Sequence, residues 1–151
     1  MTTHEALLEK MMEVLLVRYG ERVDDFLFPP PIFKLMQAEL LEIDLEASIL
    51  QARFPVMESY QNPYQIMQGG MLATAVDNTI GPLSVLVAQP NVTRTLEMKY
   101  SKSVTLDMGE IIITAKLVDQ DKRHLYFNAD VRSPDGVKLA TAKAVHWILE
   151  K

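Results

Sequence analysis

One carboxylate, Asp77, lies within the most apolar long stretch of the 151-residue sequence. The stretch from Asn62 to Gly81 reads NPYQIMQGGMLATAVDNTIG and predicts a loop, a helix that begins at Gly69-Gly70, and an apolar helical body. A buried acid costs free energy unless it is paired or used in chemistry. Asp77 is therefore the first candidate for a general base or a nucleophile.

The helix predicted around Asp77 is apolar on all sides, which is the pattern of a helix enclosed by other elements. Its apolar residues are Met71, Leu72, Ala75, Val76, Ile80 and Leu83. The residues one and two turns from Asp77 are small, namely Gly70, Ala73, Thr74 and Gly81. One face of the helix thus carries a single acid and little other side-chain bulk. Pro82 is expected to kink the helix, or to end its regular hydrogen bonding, after Gly81.

The composition excludes several classes of site and partner. The sequence has no cysteine, which rules out disulfides, thiolate metal sites and a cysteine nucleophile. The three histidines, His4, His124 and His146, share no metal-binding spacing, so we predict no metal site. A net charge of −5 argues against a general nucleic-acid binder.

No targeting or membrane segment is predicted. The N-terminus lacks the basic region and apolar core of a signal peptide. Residues 66–88 are long and apolar, but Asp77, Asn78 and Pro82 in their middle argue against a membrane span. The cytoplasm is therefore the expected location.

The first part of the chain predicts a helical extension. Residues 3–18 have the spacing of an amphipathic helix, and Thr2 with Glu5 fits a capping box at its start. Three consecutive prolines, Pro29 to Pro31, then predict an extended connection. The apolar stripe of this helix indicates either packing on the domain or a lid over an apolar tunnel.

The rest of the chain alternates with the period of two that is typical of β-strands. Two strands precede the apolar helix and four follow it; they are predicted near residues 38–46, 49–56, 92–101, 110–119, 123–132 and 137–149. A sheet of six antiparallel strands is long enough to curl around that helix. We therefore predict an α+β domain over residues 38–151, preceded by an extension over residues 1–37.

Two of the predicted strands have informative faces. Strict alternation in the third strand places Val92, Arg94, Leu96, Met98 and Tyr100 on one face and Thr93, Thr95, Glu97 and Lys99 on the other. In the last strand Ala140, Ala142 and Ala144 share a face. Such small side chains suit a surface on which a helix packs closely.

This order of elements, with Asn62, Gln68-Gly69-Gly70 and Asp77 at their spacings, resembles the hotdog-fold acyl-CoA thioesterases, in particular the phenylacetyl-CoA thioesterase-like (PaaI-like) group. The resemblance covers about residues 38–150. The family pattern is an Asn, a His-Gly-Gly six positions later, an Asp nine positions beyond the His, and often a Ser or Thr eighteen positions beyond the Asp. Thr95 holds the last position, and the family His is Gln68 in this chain.

The resemblance implies a hotdog fold, in which a six-stranded antiparallel sheet wraps around a central helix; here an extra N-terminal helix is added. It implies hydrolysis of an acyl- or aryl-CoA thioester to the free acid and CoA, with no cofactor. Asp77 would act as general base on water or as nucleophile, and the Gly69 N–H would bind the carbonyl oxygen. Asn62 and Thr95 would orient the water or the thioester, and Gln68 would hold the loop and the sulfur end.

The resemblance also implies self-association as a homodimer or homotetramer. Two subunits would pair through their sheets, so that Asp77 and Thr95 of one subunit face Asn62, Gln68 and Gly69 of the other. The nucleotide end of CoA requires local positive charge despite the acidic chain. The candidates for this role are Arg94, Lys99, Lys102, Lys122 and Arg123.

Each of these residues also has a structural interpretation. Asp77 would fit an acid bonded to the backbone or to Asn78, Thr95 is an ordinary strand former, and the cations suit exposed strand and turn ends. His124 and His146 are interpreted as a surface and a strand histidine. Because Gln68 cannot carry a proton, the alternative function is a non-catalytic acyl- or lipid-binding hotdog module.

Overall fold

The computed structural model describes residues 1–149 and has an antiparallel sheet that curls around one long helix. The strand order across the sheet is β1-β2-β4-β5-β6-β3. The elements are α1 (Thr3–Tyr19), α2 (Pro31–Leu35), β1 (Glu39–Asp44), β2 (Ile49–Pro55), α3 (Gly69–Val87), β3 (Asn91–Tyr100), β4 (Glu110–Gln120), β5 (His124–Arg132) and β6 (Lys138–Ile148). The predicted six-stranded antiparallel sheet, central helix and N-terminal helix are confirmed.

The central helix α3 forms the middle of the hydrophobic core. Its buried apolar residues include Leu72, Ala75, Val76, Ile80, Leu83 and Leu86. By length and composition alone α3 could cross a membrane, but more than half of it is buried inside the domain. Enclosure by the sheet therefore accounts for its apolar composition. Ala140, Ala142 and Ala144 are buried along one face of β6, as their spacing predicts.

Of the two outcomes predicted for Pro82, an end of the helix after Gly81 is wrong, and a kink stays a prediction. The helix continues through Pro82 to Val87. A proline normally disfavours a helical conformation in the preceding residue, because its Cδ collides with that residue's Cβ. Gly81 has no Cβ, which removes this collision, and the buried apolar residues on either side hold the helix against the sheet.

Strict alternation in β3 is also wrong, because the strand contains a bulge. Thr93 pairs with His146 and Thr95 pairs with Val145, so the register shifts by one residue between them. A bulge of this kind interrupts the alternation, so that residues before it and residues after it no longer follow one period-two series of sheet faces. Thr93 therefore lies on the same face as Leu96, and Val92 lies on the opposite face.

The N-terminal helix α1 packs on β1 and α3. Its capping box is present, since Thr2 Oγ1 accepts from the Glu5 N–H at 3.1 Å and Glu5 Oε2 accepts from the Thr2 N–H at 2.7 Å. Met11 and Leu15 are fully buried against the core. The predicted helix and its cap are thus confirmed.

The two edges of the sheet differ in how they are covered. On the β1 edge, the Leu40 N–H donates to Nδ1 of His4 at 3.0 Å, and Nζ of Lys10 donates to the Ile43 carbonyl at 3.5 Å. Side chains of α1 thus form hydrogen bonds with backbone groups of β1 that would otherwise be available to pair with another strand. At the other edge, and among residues 1–149, β3 pairs with β6 alone and its outer side is open.

Candidate active site at the start and the middle of the central helix

Asp77 is half-buried on the side of α3 that faces the first residues of β3. Its Oδ1 accepts a hydrogen bond of 2.8 Å from the Thr93 hydroxyl. Asn78 does not bond to it, because Nδ2 of Asn78 donates to Sδ of Met36 at 3.3 Å. Across residues 1–149 Asp77 makes no other hydrogen bond, so its second carboxylate oxygen is available for a water or a carbonyl group.

A buried histidine lies behind Thr93. His146 is 1% exposed, and its Nε2 is 3.3 Å from Oγ1 of Thr93. Its Nδ1 is 2.7 Å from Oδ1 of Asn91. The imidazole ring packs against the ring of Phe127, with 4.8 Å between the two ring centroids. Burial lowers the pKa of His146 below its ordinary value, and the negative charge of Asp77 partly opposes this shift. The imidazole is therefore uncharged at neutral pH.

Sequence reasoning missed both Thr93 and His146. His146 continues the period-two series of Ala140, Ala142 and Ala144, which places it on the buried face of β6. That series was the available signal. Thr93 reaches Asp77 only because the bulge in β3 changes its facing, and no residue type in the strand marks that bulge.

A cavity of about 340 Å³ opens beside Asp77, Thr93 and His146. Its lining comes from α3, from the first residues of β3, from His146 and from the N-terminal extension. The extension contributes Leu15, Phe26, Leu27, Phe28 and Pro30 to the lining. Asp77 is thus at the boundary between a polar cluster and an apolar enclosure.

The first residue of α3 is held against the end of β3. The Tyr100 hydroxyl donates a 2.7 Å hydrogen bond to the Gly69 carbonyl. A Cβ added at Gly69 would lie only 3.2 Å from Cζ and Oη of Tyr100, so a glycine suits this contact. Within the described chain the N–H groups of Gly69 and Gly70 donate to no acceptor. Free N–H groups at a helix start attract a negatively charged oxygen.

The loop before α3 is organised by Asn62. Its Oδ1 accepts from the N–H groups of Tyr64 at 2.9 Å and Ile66 at 3.3 Å. In residues 1–149 its Nδ2 donates to no acceptor. A cavity of about 260 Å³ lies here, and Asn62, Gly69, Tyr100 and Lys102 are among its lining residues. Asn62 and Gly69, both predicted site residues, therefore share one cavity.

Gln68 begins the helix through its backbone rather than its side chain. Its N–H donates to the Tyr60 carbonyl at 2.8 Å, and its carbonyl accepts from the N–H groups of Met71 and Leu72. The side chain is exposed, makes no capping hydrogen bond, and lies over Gly70. It does not line either cavity described above.

Within one chain the two groups of candidate residues are well separated. Gly69 and Asp77 are eight residues apart on α3, which corresponds to about 12 Å along the helix axis. Each group also has its own cavity. One thioester carbonyl cannot contact the Gly69 N–H and the Asp77 carboxylate of the same chain.

Thr95 is not brought to Asp77. It is exposed and pairs with Val145 on the outer face of the sheet. The hydroxyl beside Asp77 belongs to Thr93, sixteen rather than eighteen positions along the chain. The catalytic role predicted for Thr95 has no supporting contact in a single chain and stays a prediction.

The five predicted cations divide between the two ends of β3. Lys99 and Lys102 are exposed near the α3 start, and Lys102 lines the cavity that contains Asn62. Arg94 follows Thr93, and its guanidinium carbon lies 3.9 Å from the centre of the Trp147 ring. Lys122 and Arg123 are in the β4–β5 turn, and the Arg123 carbonyl accepts from the Ile148 N–H at 2.8 Å. Both groups of cations are therefore close to a candidate cavity or to the Asp77 end of β3.

The β4–β5 turn also carries a persistent negative charge. Asp121 Oδ1 accepts from the Arg123 N–H at 2.9 Å and from the His124 N–H at 3.0 Å. The hydrogen bond from the Arg123 backbone, followed by that from the His124 side chain, lowers the pKa of Asp121 to about 2. This charge reduces the attraction of Lys122 and Arg123 for phosphate.

Solved structures share this architecture. Escherichia coli PaaI, from the phenylacetic acid degradation operon, is 13% identical with a TM-score of 0.75, and the match covers 95% of this chain and 96% of that one. A phenylacetic acid degradation-related protein of Ralstonia eutropha JMP134 is 22% identical with a TM-score of 0.74, covering 86% of this chain and 99% of that one. A hypothetical thioesterase of Streptococcus pneumoniae TIGR4, solved with coenzyme A, is 19% identical with a TM-score of 0.69, and the match covers 76% of this chain and 87% of that one.

Neither family models nor curated proteins match the chain. The likeness to the solved structures is therefore one of fold, at low sequence identity. It extends over nearly the whole length of the PaaI structures and includes the sheet and the central helix. The chain has the hotdog fold of the PaaI-like proteins.

Proposed function

We propose that the protein is an acyl-CoA thioesterase that hydrolyses an acyl- or aryl-CoA thioester to the free acid and CoA. The observation that carries the proposal is Asp77, a half-buried carboxylate with one oxygen unbonded, at the side of a cavity with an apolar wall. Asp77 acts as general base on water or as nucleophile. The hotdog neighbour solved with coenzyme A supports an acyl-CoA ligand.

The active site forms between two copies of the chain. The β3 edge is open, whereas α1 occupies the β1 edge. If β3 pairs antiparallel with its copy, the first residues of one strand lie opposite the last residues of the other. Thr93, with Asp77, then approaches Tyr100 of the second copy, to which Gly69 is bonded. This arrangement brings together the two halves that are about 12 Å apart within one chain.

In this site the Gly69 N–H stabilises the carbonyl oxygen as negative charge develops on it. One such donor typically contributes about 3 kcal/mol to the stabilisation of a transition state. Asn62 shares the cavity, and its free Nδ2 orients the water or the thioester. Gln68 holds the loop by its backbone bond to Tyr60.

The acyl group occupies the cavity of about 340 Å³ beside Asp77. Its apolar wall is supplied by Phe26, Leu27 and Phe28 of the N-terminal extension. This placement favours the lid interpretation of the extension, in addition to the packing of α1 on the domain. The nucleotide end of CoA is bound by Arg94, Lys99 and Lys102, with a smaller contribution from Lys122 and Arg123 because of the charge of Asp121.

Release of CoA thiol from a panel of aryl-, short-chain and long-chain acyl-CoA esters tests the proposal. Asp77→Asn should lower kcat by at least about a hundredfold while the thermal unfolding midpoint stays close to that of the wild type. Glu46→Gln is the matched control, because it neutralises an exposed carboxylate in the β1–β2 turn. Equal turnover in Asp77→Asn and wild type would remove Asp77 from the mechanism.

The second candidate function is a non-catalytic acyl- or lipid-binding module. It is favoured by Gln68, which replaces the family histidine and cannot carry a proton. The same panel separates the two functions when binding is measured by calorimetry alongside thiol release. Tight binding of an acyl-CoA without release of thiol, in the wild-type protein, would support the binding module.

A further inference from the structure

The hydrogen bonds around His146 determine which of its ring nitrogens carries a proton. Nδ2 of Asn91 donates to the carbonyls of Gln89 at 2.8 Å and Ser84 at 3.4 Å, which fixes the orientation of the amide. Its Oδ1, an acceptor, therefore faces Nδ1 of His146 at 2.7 Å. The contact requires a proton on Nδ1. In the uncharged imidazole Nε2 then has a lone pair and no proton.

Thr93 has one hydroxyl proton but two neighbours that accept it. Its Oγ1 lies 2.8 Å from Oδ1 of Asp77 and 3.3 Å from Nε2 of His146. When Asp77 is ionised and His146 is uncharged, the proton points to the closer carboxylate. Nε2 then faces a hydroxyl oxygen with no proton between them. The resting cluster thus lacks one proton.

A single added proton completes the cluster in either of two ways. If it is on Asp77, the carboxylic acid donates to Thr93 and Thr93 donates to Nε2 of His146. If it is on Nε2, the imidazolium donates to Thr93 and Thr93 donates to the Asp77 carboxylate. In both arrangements every short contact has one donor and one acceptor. The proton passes between them by two short transfers through the hydroxyl.

We propose that Asp77, Thr93 and His146 form a proton relay, in which His146 is a positioning residue that stores the proton Asp77 takes from water. The proposal rests on the proposed thioesterase function and assigns Asp77 the general-base role. As the water oxygen bonds to the thioester carbon, one water proton moves to Asp77. The carboxyl group then rotates so that the protonated oxygen faces Thr93; this proton moves to the Thr93 oxygen, and the Thr93 proton moves to Nε2. The other water proton stays on the new acid.

The stored proton is returned when the intermediate collapses. Cleavage of the carbon–sulfur bond leaves the electron pair on the thiolate of CoA. The proton on Nε2 moves back to Thr93 and the Thr93 proton moves to Asp77; after the reverse rotation of the carboxyl group, Asp77 protonates the sulfur. The products are the free acid and the CoA thiol, and the cluster is again in its resting state. This route supplies the titratable group that is missing at Gln68.

The surroundings of His146 suit this role. Burial lowers the pKa of His146, so the imidazole is uncharged and able to accept a proton at neutral pH. The groups that face the ring from β3 and β5 are neutral, namely Asn91, Thr93 and Phe127. From α3 the facing charge is that of Asp77, which favours the protonated form.

Single-turnover thiol release as a function of pH tests the relay. His146→Gln keeps a polar group near Thr93 but cannot store a proton, and Thr93→Val removes the hydroxyl at constant shape. Each should lower the rate by about tenfold to a hundredfold at neutral pH, toward the lower range of general-base contributions. Thr93→Ser should retain most of the rate. The double variant should be no slower than either single one, because the residues act as a unit.

The pH dependence separates a relay from a structural role. Below the pKa of His146 the wild-type relay already holds its proton and cannot accept another. The ratio of wild-type to His146→Gln rates should therefore fall toward one as the pH decreases. His124→Gln, which changes a histidine bonded to Asp121 in the β4–β5 turn, serves as the matched control. A ratio that is large but constant with pH would overturn the relay and leave His146 a structural residue.

Nitrogen-15 NMR of the histidine side chains gives a readout that needs no substrate. Above its pKa, His146 should be the tautomer with the proton on Nδ1, and Asp77→Asn should lower its pKa further. A proton on Nε2 in the uncharged form would overturn the relay, because Nε2 would then have no lone pair with which to accept a proton from Thr93. Absence of thiol release by the wild type would overturn the proposed function. Turnover with the wrong tautomer would overturn the relay alone.

Discussion

The Tyr100 hydroxyl and the Gly69 carbonyl are joined by a 2.7 Å hydrogen bond, which ties the end of β3 to the first residue of the central helix. The Gly69 N–H is on the other side of the same residue and bonds to no described group. The contact therefore fixes the position of a free donor at the helix start. In a dimer that pairs through β3, the Gly69 N–H of one copy would therefore have a fixed position relative to Asp77 of the other copy.

A pair of substitutions at Gly69 isolates the contribution of this N–H. Both Gly69→Ala and Gly69→Pro add a Cβ at 3.2 Å from the Tyr100 ring, but only the proline removes the N–H. Proline is favoured at the first position of a helix, and Gln68 already has the extended backbone, at φ −58 and ψ 137, that a following proline requires. The helix start should therefore tolerate the change.

We expect Gly69→Pro to lower kcat by roughly 10²- to 10³-fold relative to Gly69→Ala, which is the usual effect of removing one oxyanion donor. Steady-state thiol release measures the difference, with circular dichroism as the check that both variants fold. Gly70→Ala is a further control, since its Cβ would meet only the flexible end of Gln68 at 3.4 Å. Equal kcat values for the alanine and proline variants would exclude the Gly69 N–H as the donor.

A mixing experiment tests whether two chains share each site. In Asp77→Asn the Gly69 half is intact, and in Gly69→Pro the Asp77 half is intact. After the two inactive variants are unfolded together and refolded, half of the dimers should be mixed and have one complete site. Thiol release should therefore return to about a quarter of the wild-type rate, as random pairing of a two-fold dimer requires.

The same mixture would stay inactive if each site were built within one chain. Light scattering of the wild type should give a mass of two or four chains of 17.1 kDa. The doubly substituted chain, Asp77→Asn with Gly69→Pro, provides the control when it is refolded with wild type. Only the wild-type dimers then have complete shared sites, so a shared site predicts about a quarter of the wild-type rate and a site within one chain predicts about a half. A monomer with full activity would contradict the shared site directly.

Residue spacing was sufficient to predict the elements of the fold, and three of the predicted site residues, Asn62, Gly69 and Asp77, line a cavity. The alternation of apolar residues located all six strands, and the all-round apolar helix located α3. Asp77 and Gly69 were identifiable because an acid in an apolar helix and a glycine pair at a helix start are local features. Both lie beside a cavity in the structure.

The partners of Asp77 were not predictable by the same means. Thr93 faces Asp77 because an unpaired residue in β3 shifts the register between Thr93 and Thr95, and such a bulge depends on pairing with β6. His146 is in the candidate site through contacts that join residues more than fifty positions apart. The predicted end of the helix at Pro82 followed from the local preference of proline against a helix interior. Packing of the buried residues around Gly81 outweighs that preference, and the helix continues.

The lowered pKa of His146 predicts a dependence of stability on pH. In the unfolded chain the imidazole returns to a pKa of about 6.5, whereas burial lowers it in the folded chain. Between these two values the unfolded chain binds more protons, so the free energy of unfolding decreases as the pH falls from about 6.5. This contribution is fully present above the unfolded pKa.

Urea unfolding at a series of pH values from about 7.5 downward measures the effect. The wild type should lose stability more steeply below about pH 6.5 than His146→Gln, which has no group to titrate at this position. His124→Gln should retain the wild-type dependence, because His124 is a partly exposed residue at the start of β5 rather than buried beneath Thr93. Parallel curves for wild type and His146→Gln would show that another group causes the dependence.

The N-terminal extension should determine which acyl groups are hydrolysed. Leu27 is 76% exposed, so its replacement costs the folded chain little, yet it lines the cavity beside Asp77. Burial of a leucine side chain against an apolar ligand contributes about 1.5 kcal/mol or more, which corresponds to roughly a tenfold change in affinity. Leu27→Ser should therefore raise KM by about tenfold for aryl- and long-chain acyl-CoA esters and leave KM for acetyl-CoA nearly unchanged.

Val17→Ser is the matched control for this experiment. Val17 is 88% exposed on α1 and is not among the residues that line the cavity. The two variants make the same kind of change at two exposed apolar positions of the extension, so only the contact with the substrate differs between them. An equal rise in KM for acetyl-CoA and long-chain esters in Leu27→Ser would show that the extension does not contact the acyl group. The extension would then serve only to pack on the domain and to cover the β1 edge.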